Sequence, residues 1–134
     1  MKSGLMRPDF IRLSATDSVG VAIERLRRSD LAAGTLTTLY VLDSDGRLEG
    51  SVFVVSLLRA DAERELGEIA EREPVWVGTG ADLPEVARMM TDYNLVMLPV
   101  LDGEERMVGV VTVDDVLELT LPAGWRRRFG VVRD

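Results

Sequence analysis

Cysteine and histidine are both absent from this chain of 134 residues, and their absence excludes several classes of protein. No disulfide framework is possible, and neither is a zinc, haem or iron–sulfur site of ordinary ligation. A bound metal would have to be a hard cation held by oxygen atoms, such as magnesium, calcium or manganese. The lack of histidine also removes the commonest general base and every Ser-His or Cys-His nucleophile pair. The composition therefore argues against an enzyme.

Long apolar runs are lacking as well. The longest stretches, such as Leu95–Leu101, are far shorter than the roughly 20 apolar residues that a membrane-spanning helix needs. The N-terminus has no apolar region of the kind that directs secretion. We therefore expect this stretch of chain to be soluble and cytoplasmic, either by itself or as part of a membrane protein.

Hydrophobic residues make up 46% of the sequence, which is enough for a folded domain, and the formal net charge is −7. The charge is uneven, because residues 1–64 are balanced, residues 65–120 are strongly acidic and residues 121–134 are basic. A nucleic-acid-binding fold carries a basic face, so we expect no nucleic-acid partner. The acidic half would instead attract divalent cations.

The sequence repeats itself once, and such a repeat decides the fold. Residues 11–13 align with residues 75–77, and at the same offset two apolar stripes with helical spacing coincide. The stripes are Val19, Ala22, Ile23 and Leu26, and Leu83, Val86, Ala87 and Met90. Pieces of about sixty residues bury too little surface to be stable alone, so we expect the two halves to pack together.

A second block of similarity follows at a shorter offset. Residues 40–43 align with residues 99–102, and Gly50 then aligns with Gly109. The first repeat therefore carries a short insertion between its helix and its second strand, around residues 32–34.

Each repeat has the pattern β-α-β-β-α. Asp82 is the expected N-cap of the helix in the second repeat, with Glu85 three positions on, and Asp45-Gly46 marks the hairpin turn of the first. Strands are predicted at residues 11–13, 39–42, 48–53, 75–77, 96–101 and 107–112, and helices of the second repeat at residues 82–93 and 113–119.

The second repeat ends on the signature of a known family. Pro99-Val100-Leu101-Asp102, then six residues, then Gly109-Val110-Val111-Thr112-Val113-Asp114-Asp115 is similar to the signature of CBS motifs, the cystathionine-β-synthase type of regulatory module. The resemblance covers residues 5 to about 120 and implies an α/β fold, in which two β-α-β-β-α CBS repeats pack with pseudo-twofold symmetry. It places the first CBS motif at residues 4–62, a linker at 63–73, the second CBS motif at 74–120 and a basic tail at 121–134.

Several stretches more narrowly resemble the cytoplasmic CBS pair of MgtE-type magnesium transporters. They are residues 4–10, 57–61, 85–93, 98–100 and 111–117. This resemblance implies a homodimer formed through the CBS modules, an upstream helical domain, a membrane transport domain, and a native chain that extends before Met1. The basic tail, with Trp125–Arg128, departs from the helix that leads into the transporter pore. It is either a frayed end or a contact for phosphate or a membrane surface.

Members of the CBS family often bind an adenosine compound where a hydroxyl and a carboxylate stand three positions apart at a helix start. Here these residues are Thr112 and Asp115, and we call their junction the second cleft. A carboxylate there would accept both ribose hydroxyls, while the Thr112 hydroxyl and the first-turn N–H groups would hold phosphate. The expected apolar walls for the base are Val75, Val77, Leu95, Met97 and Pro99. Thr-x-x-acid is also a helix-capping pattern, so a purely structural role stays open.

The equivalent junction of the first repeat, the first cleft, lacks both groups. Phe53 takes the hydroxyl position and Ser56 the carboxylate position. Phe53 offers no donor, and we expect it to fill the cleft. ATP, ADP or AMP should therefore bind in the second cleft alone.

A carboxylate cluster offers another kind of site. Its members are Glu65, Glu68, Glu71, Glu73, Asp114 and Glu118. One interpretation is a solvated helical face. The other is a magnesium-responsive surface, because a divalent cation relieves the repulsion between crowded carboxylates. The expected ligands are then Asp114, Glu118, Glu68 and Glu71, completed by a partner domain or a second subunit.

The resemblance implies a ligand-sensing function with no obligatory cofactor. One hypothesis is the CBS pair of a magnesium transporter, or of a soluble relative, that responds to Mg²⁺, to an adenine nucleotide or to both. The alternative is a free-standing adenine-nucleotide sensor that regulates a partner protein. An enzyme is disfavoured for want of a nucleophile–base pair.

Overall fold

The computed structural model describes residues 5–121, in which the chain forms two three-stranded sheets. In each sheet a short first strand lies parallel to the second strand, which forms an antiparallel hairpin with the third. The first repeat contains β1 (Arg12–Leu13), α1 (Val19–Arg28), a 3₁₀ turn (Ala33–Thr35), β2 (Thr38–Leu42), β3 (Leu48–Phe53) and α2 (Val54–Arg59). After α3 (Leu66–Ile69), the second repeat contains β4 (Val77–Gly78), α4 (Leu83–Asp92), β5 (Met97–Leu101), β6 (Met107–Thr112) and α5 (Val113–Thr120). The predicted α/β fold of two β-α-β-β-α repeats is confirmed.

The first strand of each repeat is shorter than the sequence predicts. In the second repeat Val77 pairs with Val100 and Gly78 with Leu101, and Val75 lies outside this ladder. The prediction of a strand at residues 75–77 is therefore corrected to Val77–Gly78. The hairpin strands β3 and β6 have the predicted bounds, because a turn and an apolar run define both of their ends.

Side-chain caps fix the start of both amphipathic helices. Ser18 Oγ accepts a hydrogen bond from the Val21 N–H at 3.1 Å, and Asp82 Oδ1 accepts one from the Glu85 N–H at 3.0 Å. Such a cap contributes about 1 kcal/mol. Within residues 5–121, no helix is long and apolar enough to cross a membrane.

Each repeat buries a core of its own, and a third core joins the two. This shared core takes side chains from both sheets, with Leu42 and Leu101 at equivalent positions of the repeat. Its buried members are Phe10, Tyr40, Leu42, Met97, Leu101, Met107 and Val110. The prediction that the repeats pack through their strands into one module is confirmed, because neither sheet could cover this face alone.

The segment that precedes the first strand of each repeat crosses to the sheet of the other repeat. Residues 6–7 reach β6 and residues 70–71 reach β3, and we call them the crossing segments. Each forms two backbone hydrogen bonds of 2.8–3.1 Å with its strand. The hydrogen-bonded pairs are Arg7–Val110 and Glu71–Ser51. The two repeats are interlocked as a result.

The two aligned glycines admit these crossings. A Cβ atom on Gly109 would lie 2.6 Å from the carbonyl oxygen of Arg7, and one on Gly50 would lie 2.9 Å from that of Glu71. Neither distance is compatible with a real side chain at an unshifted backbone. The glycine of each repeat is therefore required by the close approach of the crossing chain.

Candidate functional site

Thr112 and Asp115 lie together at the start of α5, as their spacing predicts. Thr112 is the N-cap, and its Oγ accepts a hydrogen bond from the Asp115 N–H at 3.3 Å. The same hydroxyl donates to Asp115 Oδ2 at 3.0 Å. Both residues are buried. The capping geometry is thus realised, and it also sets a carboxylate and a hydroxyl side by side.

Arg7 completes this site, and sequence reasoning missed it. Its Nε donates to Asp115 Oδ2 at 2.6 Å and its Nη2 donates to Asp115 Oδ1 at 2.9 Å. The side chain of Arg7 is 49% exposed, whereas that of Asp115 is 11% exposed. The first crossing segment holds the Arg7 backbone against β6, so the guanidinium is directed to the second cleft from a fixed anchor.

The ion pair controls the charge of the second cleft. The hydrogen bonds from Arg7 lower the pKa of Asp115 below its ordinary value, against the opposing effect of burial, and the Thr112 hydroxyl lowers it further. The pKa of Arg7 is raised, chiefly by its hydrogen bond to Asp115, with smaller contributions from Glu118 and Asp114. At neutral pH the second cleft therefore contains the ionised carboxylate of Asp115, which the ionised guanidinium of Arg7 binds bidentately.

This arrangement determines what the second cleft can do chemically. Asp115 receives hydrogen bonds from Arg7 Nε, Arg7 Nη2 and Thr112 Oγ. A ribose that donates two hydroxyls to this carboxylate has to take the place of Arg7, because the carboxylate is largely enclosed. The site suits a polar ligand that carries paired hydroxyls. The ligand also needs an anionic group that can pair with the displaced guanidinium of Arg7.

The five predicted wall residues do not lie on one face of the sheet. Met97 pairs with Thr112 and Pro99 with Val110, so Met97 and Pro99 share the face on which Thr112 lies. Val77 instead belongs to the second repeat's own core. Val77 pairs with β5 on the face that the helices cover, and its role in the wall of the cleft stays a prediction. Val75 and Leu95 are half-buried beside that same core.

The first cleft differs from the expectation for Phe53. This residue is 48% exposed and lines a cavity of about 510 Å³ that opens at the start of α2. Phe53 lines this cavity from the N-cap position of α2 and leaves it open, so the prediction that it fills the cleft is wrong. Ser56 and Arg59 line the same cavity.

The two crossing segments carry residues of opposite charge at equivalent positions. Where Arg7 reaches the second cleft, Glu71 occupies the equivalent place in the other crossing segment. The first junction has no side-chain hydrogen bond from its N-cap residue, Phe53. The pseudo-symmetry of the fold therefore puts a basic residue in one crossing segment and an acidic residue in the other.

The predicted magnesium ligands do not assemble within residues 5–121, where no group of three or more acidic side chains is placed to hold a metal ion. Glu68 instead accepts from Arg64 Nε at 2.9 Å and from the Glu65 N–H at 3.1 Å, which caps α3 and lowers the pKa of Glu68. Asp114 is exposed next to the insertion of the first repeat, since a Cβ on Gly34 would lie 3.3 Å from its Oδ2.

Another cavity, of about 650 Å³, lies at the start of α4 and includes none of the predicted site residues. Its lining residues are Leu5, Gly80, Ala81, Asp82, Leu83, Pro84 and Leu119. The predicted contacts of Trp125–Arg128 lie outside the described residues.

Comparisons with known proteins agree with the repeat and the fold. A family model described as "CBS domain" matches residues 3–63 and again residues 66–121. The magnesium transporter MgtE of Thermus thermophilus is 41% identical over 116 residues, which are 87% of this chain and 26% of the transporter. The chain thus spans about a quarter of the length of this curated relative.

Solved structures give the same result. The cytosolic domain of the Mg²⁺ channel MgtE in complex with ATP superposes with a TM-score of 0.82 at 41% identity, over 86% of this chain and 46% of that one. A CBS domain pair in complex with 5′-methylthioadenosine and S-adenosyl-L-methionine superposes with a TM-score of 0.73 at 25% identity, over 86% of this chain and 94% of that one.

Proposed function

Because the chain belongs to the CBS domain family, we propose that it is a regulatory module whose second cleft binds an adenine nucleotide. The observation that carries this proposal is the buried pair of Thr112 and Asp115 at the start of α5. A carboxylate and a hydroxyl in contact can accept and donate to a ribose, and the buried apolar residues Met97 and Pro99 lie on the same face of the sheet. The ATP complex of the MgtE relative supports the choice of ligand class.

The parent protein in this proposal is an MgtE-type magnesium transporter or a soluble relative, with the module on the cytoplasmic side. The identity of 41% to a transporter supports this assignment. The alternative is a free-standing sensor that acts on a partner protein. The full reading frame distinguishes them, since a transporter has a helical domain upstream and apolar segments of about 20 residues downstream.

Magnesium is the second proposed regulatory ligand. Asp114, Glu118, Glu68 and Glu71 remain the predicted carboxylates, and they require a partner surface to complete a site. The acidic second half of the chain supports this part of the proposal, because it concentrates divalent cations.

A homodimer through the CBS modules is also proposed. Leu58 on α2 is 72% exposed and Leu117 on α5 is 54% exposed, and the two occupy equivalent positions of the repeat. A second copy related by a twofold axis would cover both. Light scattering should show a dimer that Leu58→Asp weakens and that Val21→Asp, on the exposed part of α1, leaves intact. A monomer at high concentration would contradict the proposal.

Titration of the purified domain tests the ligands directly. Thermal unfolding and calorimetry with ATP, ADP, AMP and MgCl₂, each added separately and then together, report binding to the native state. A ligand at a hundred times its Kd stabilises the native state by about 2.7 kcal/mol. If no adenine nucleotide shifts unfolding or produces heat, nucleotide sensing is refuted and the acidic surface becomes the site to test.

A further inference from the structure

Arg7 stands in the place that a ribose has to take. Its two hydrogen bonds occupy both oxygens of Asp115, at 2.6 and 2.9 Å. Its backbone is fixed to Val110 by two hydrogen bonds of 2.8 Å, whereas its side chain is half exposed. A displaced guanidinium would therefore remain tethered at the mouth of the second cleft instead of leaving it.

The surroundings of that guanidinium are acidic. Asp114 and Asp115 both lie in the first turn of α5, and Glu118 follows one turn later. All three act on Arg7 electrostatically. A phosphate group that enters this region meets repulsion from the carboxylates unless a cation accompanies it. Arg7 is the cation that the structure places there, and guanidinium binds phosphate bidentately as it binds carboxylate.

We infer that Arg7 determines the specificity of the second cleft by exchanging Asp115 for the phosphate of an adenine nucleotide. The inference rests on the proposed function, since it presupposes a ribose at Asp115. When a nucleotide binds, its phosphate replaces Asp115 as the partner of Arg7. A nucleoside has no phosphate, so its binding leaves the displaced guanidinium without a partner. The cleft therefore selects phosphorylated adenosine over adenosine.

The first cleft supports this inference by contrast. The equivalent crossing residue there is Glu71, which is exposed and paired through its backbone with Ser51. The crossing segment thus carries no cation there, although Arg59 on α2 lines the cavity of the first cleft. The first cleft therefore lacks both the carboxylate and the crossing cation that the exchange requires.

Calorimetry with AMP and with adenosine tests the exchange on the parent chain and on Arg7→Met, which keeps an unbranched side chain and removes the charge. The parent chain should bind AMP more tightly than adenosine. Arg7→Met should weaken the affinity for AMP by about tenfold to a hundredfold, which is the loss expected for a charged hydrogen bond. The affinity for adenosine should be unchanged or higher. Arg88→Met, on the exposed face of α4, removes the same charge and should leave both affinities unaltered.

Each other outcome has a definite meaning. If Arg7→Met changes the affinities for AMP and adenosine by the same factor, or changes neither affinity, Arg7 is only a partner of Asp115 and the inference is overturned. If Arg7→Met fails to fold, Arg7→Lys keeps the charge without the bidentate geometry and should show a reduced preference for AMP; an unreduced preference overturns the inference. If the parent chain binds neither ligand, the proposed function itself fails, and this inference fails with it.

Discussion

Replacement of Gly109 by alanine should destabilise the module strongly. The new Cβ atom would lie 2.6 Å from the carbonyl oxygen of Arg7 and 2.6 Å from Cγ of Met6. The Met6 side chain can move, but the carbonyl oxygen is held by the Val110 N–H at 2.8 Å. Overpacking costs about 1–3 kcal/mol, and each weakened backbone hydrogen bond adds about 1 kcal/mol. We expect a loss of about 2–4 kcal/mol in the free energy of unfolding.

Urea denaturation, supported by thermal melting, measures this loss, and one kcal/mol corresponds to roughly 4 °C at this size. Gly50→Ala should cost less, about 1–3 kcal/mol, because its Cβ would lie 2.9 Å from the carbonyl oxygen of Glu71. Gly103→Ala is the matched control, since nothing lies within 4 Å of its Cβ. The role assigned to the crossing segments is refuted if Gly109→Ala is as stable as Gly103→Ala.

Two further predictions concern Asp115. Asp115→Ala should weaken AMP binding by about tenfold to a hundredfold in calorimetry, while Ser56→Ala changes it little; equal effects would mean that the clefts are not distinguished by this carboxylate. The pKa of Asp115 is lower in the folded state than its ordinary value of about 3.9, so its ion pair stabilises the fold above that pH and the contribution is lost as pH falls through the folded pKa. The difference in unfolding free energy between the parent and Asp115→Asn should therefore be constant from about pH 5 to 8 and shrink below about pH 4; a difference that does not change with pH would contradict the ion pair.

Much of the fold follows from local patterns in the sequence. The stripe that includes Val86 and Met90 predicts a helix with one buried face, and both residues are buried in α4. Asp82 caps that helix as its position before Pro84 indicates. These features depend on residues within one or two turns of one another, so a single sequence is enough to find them.

The contacts that complete the candidate site are not local. Arg7 and Asp115 are separated by 108 positions, and nothing in the spacing of either residue points to the other. The signal that could have found the pair is the repeat itself. At Gly50 and Gly109 another segment of the same chain comes too close to leave room for a side chain. These are the crossing segments, which precede the first strand of each repeat. Sequence alignment of the repeats shows the glycines but not which chain they accommodate.

The capping and ligand-binding interpretations of Thr112 and Asp115 do not exclude each other. A buried carboxylate is costly without partners, so Asp115 needs donors in every state of the module. In the structure the donors are Arg7 and Thr112. In the proposed complex the ribose hydroxyls replace Arg7 as partners of the carboxylate, and the guanidinium of Arg7 pairs with the phosphate instead. Ser56 carries no charge that needs a partner, so no such exchange is expected in the first cleft. The crossing residue equivalent to Arg7 is Glu71, an acid. The proposed asymmetry therefore follows from the need to keep one buried charge paired, and we expect it to shrink if Asp115 is replaced by an uncharged residue.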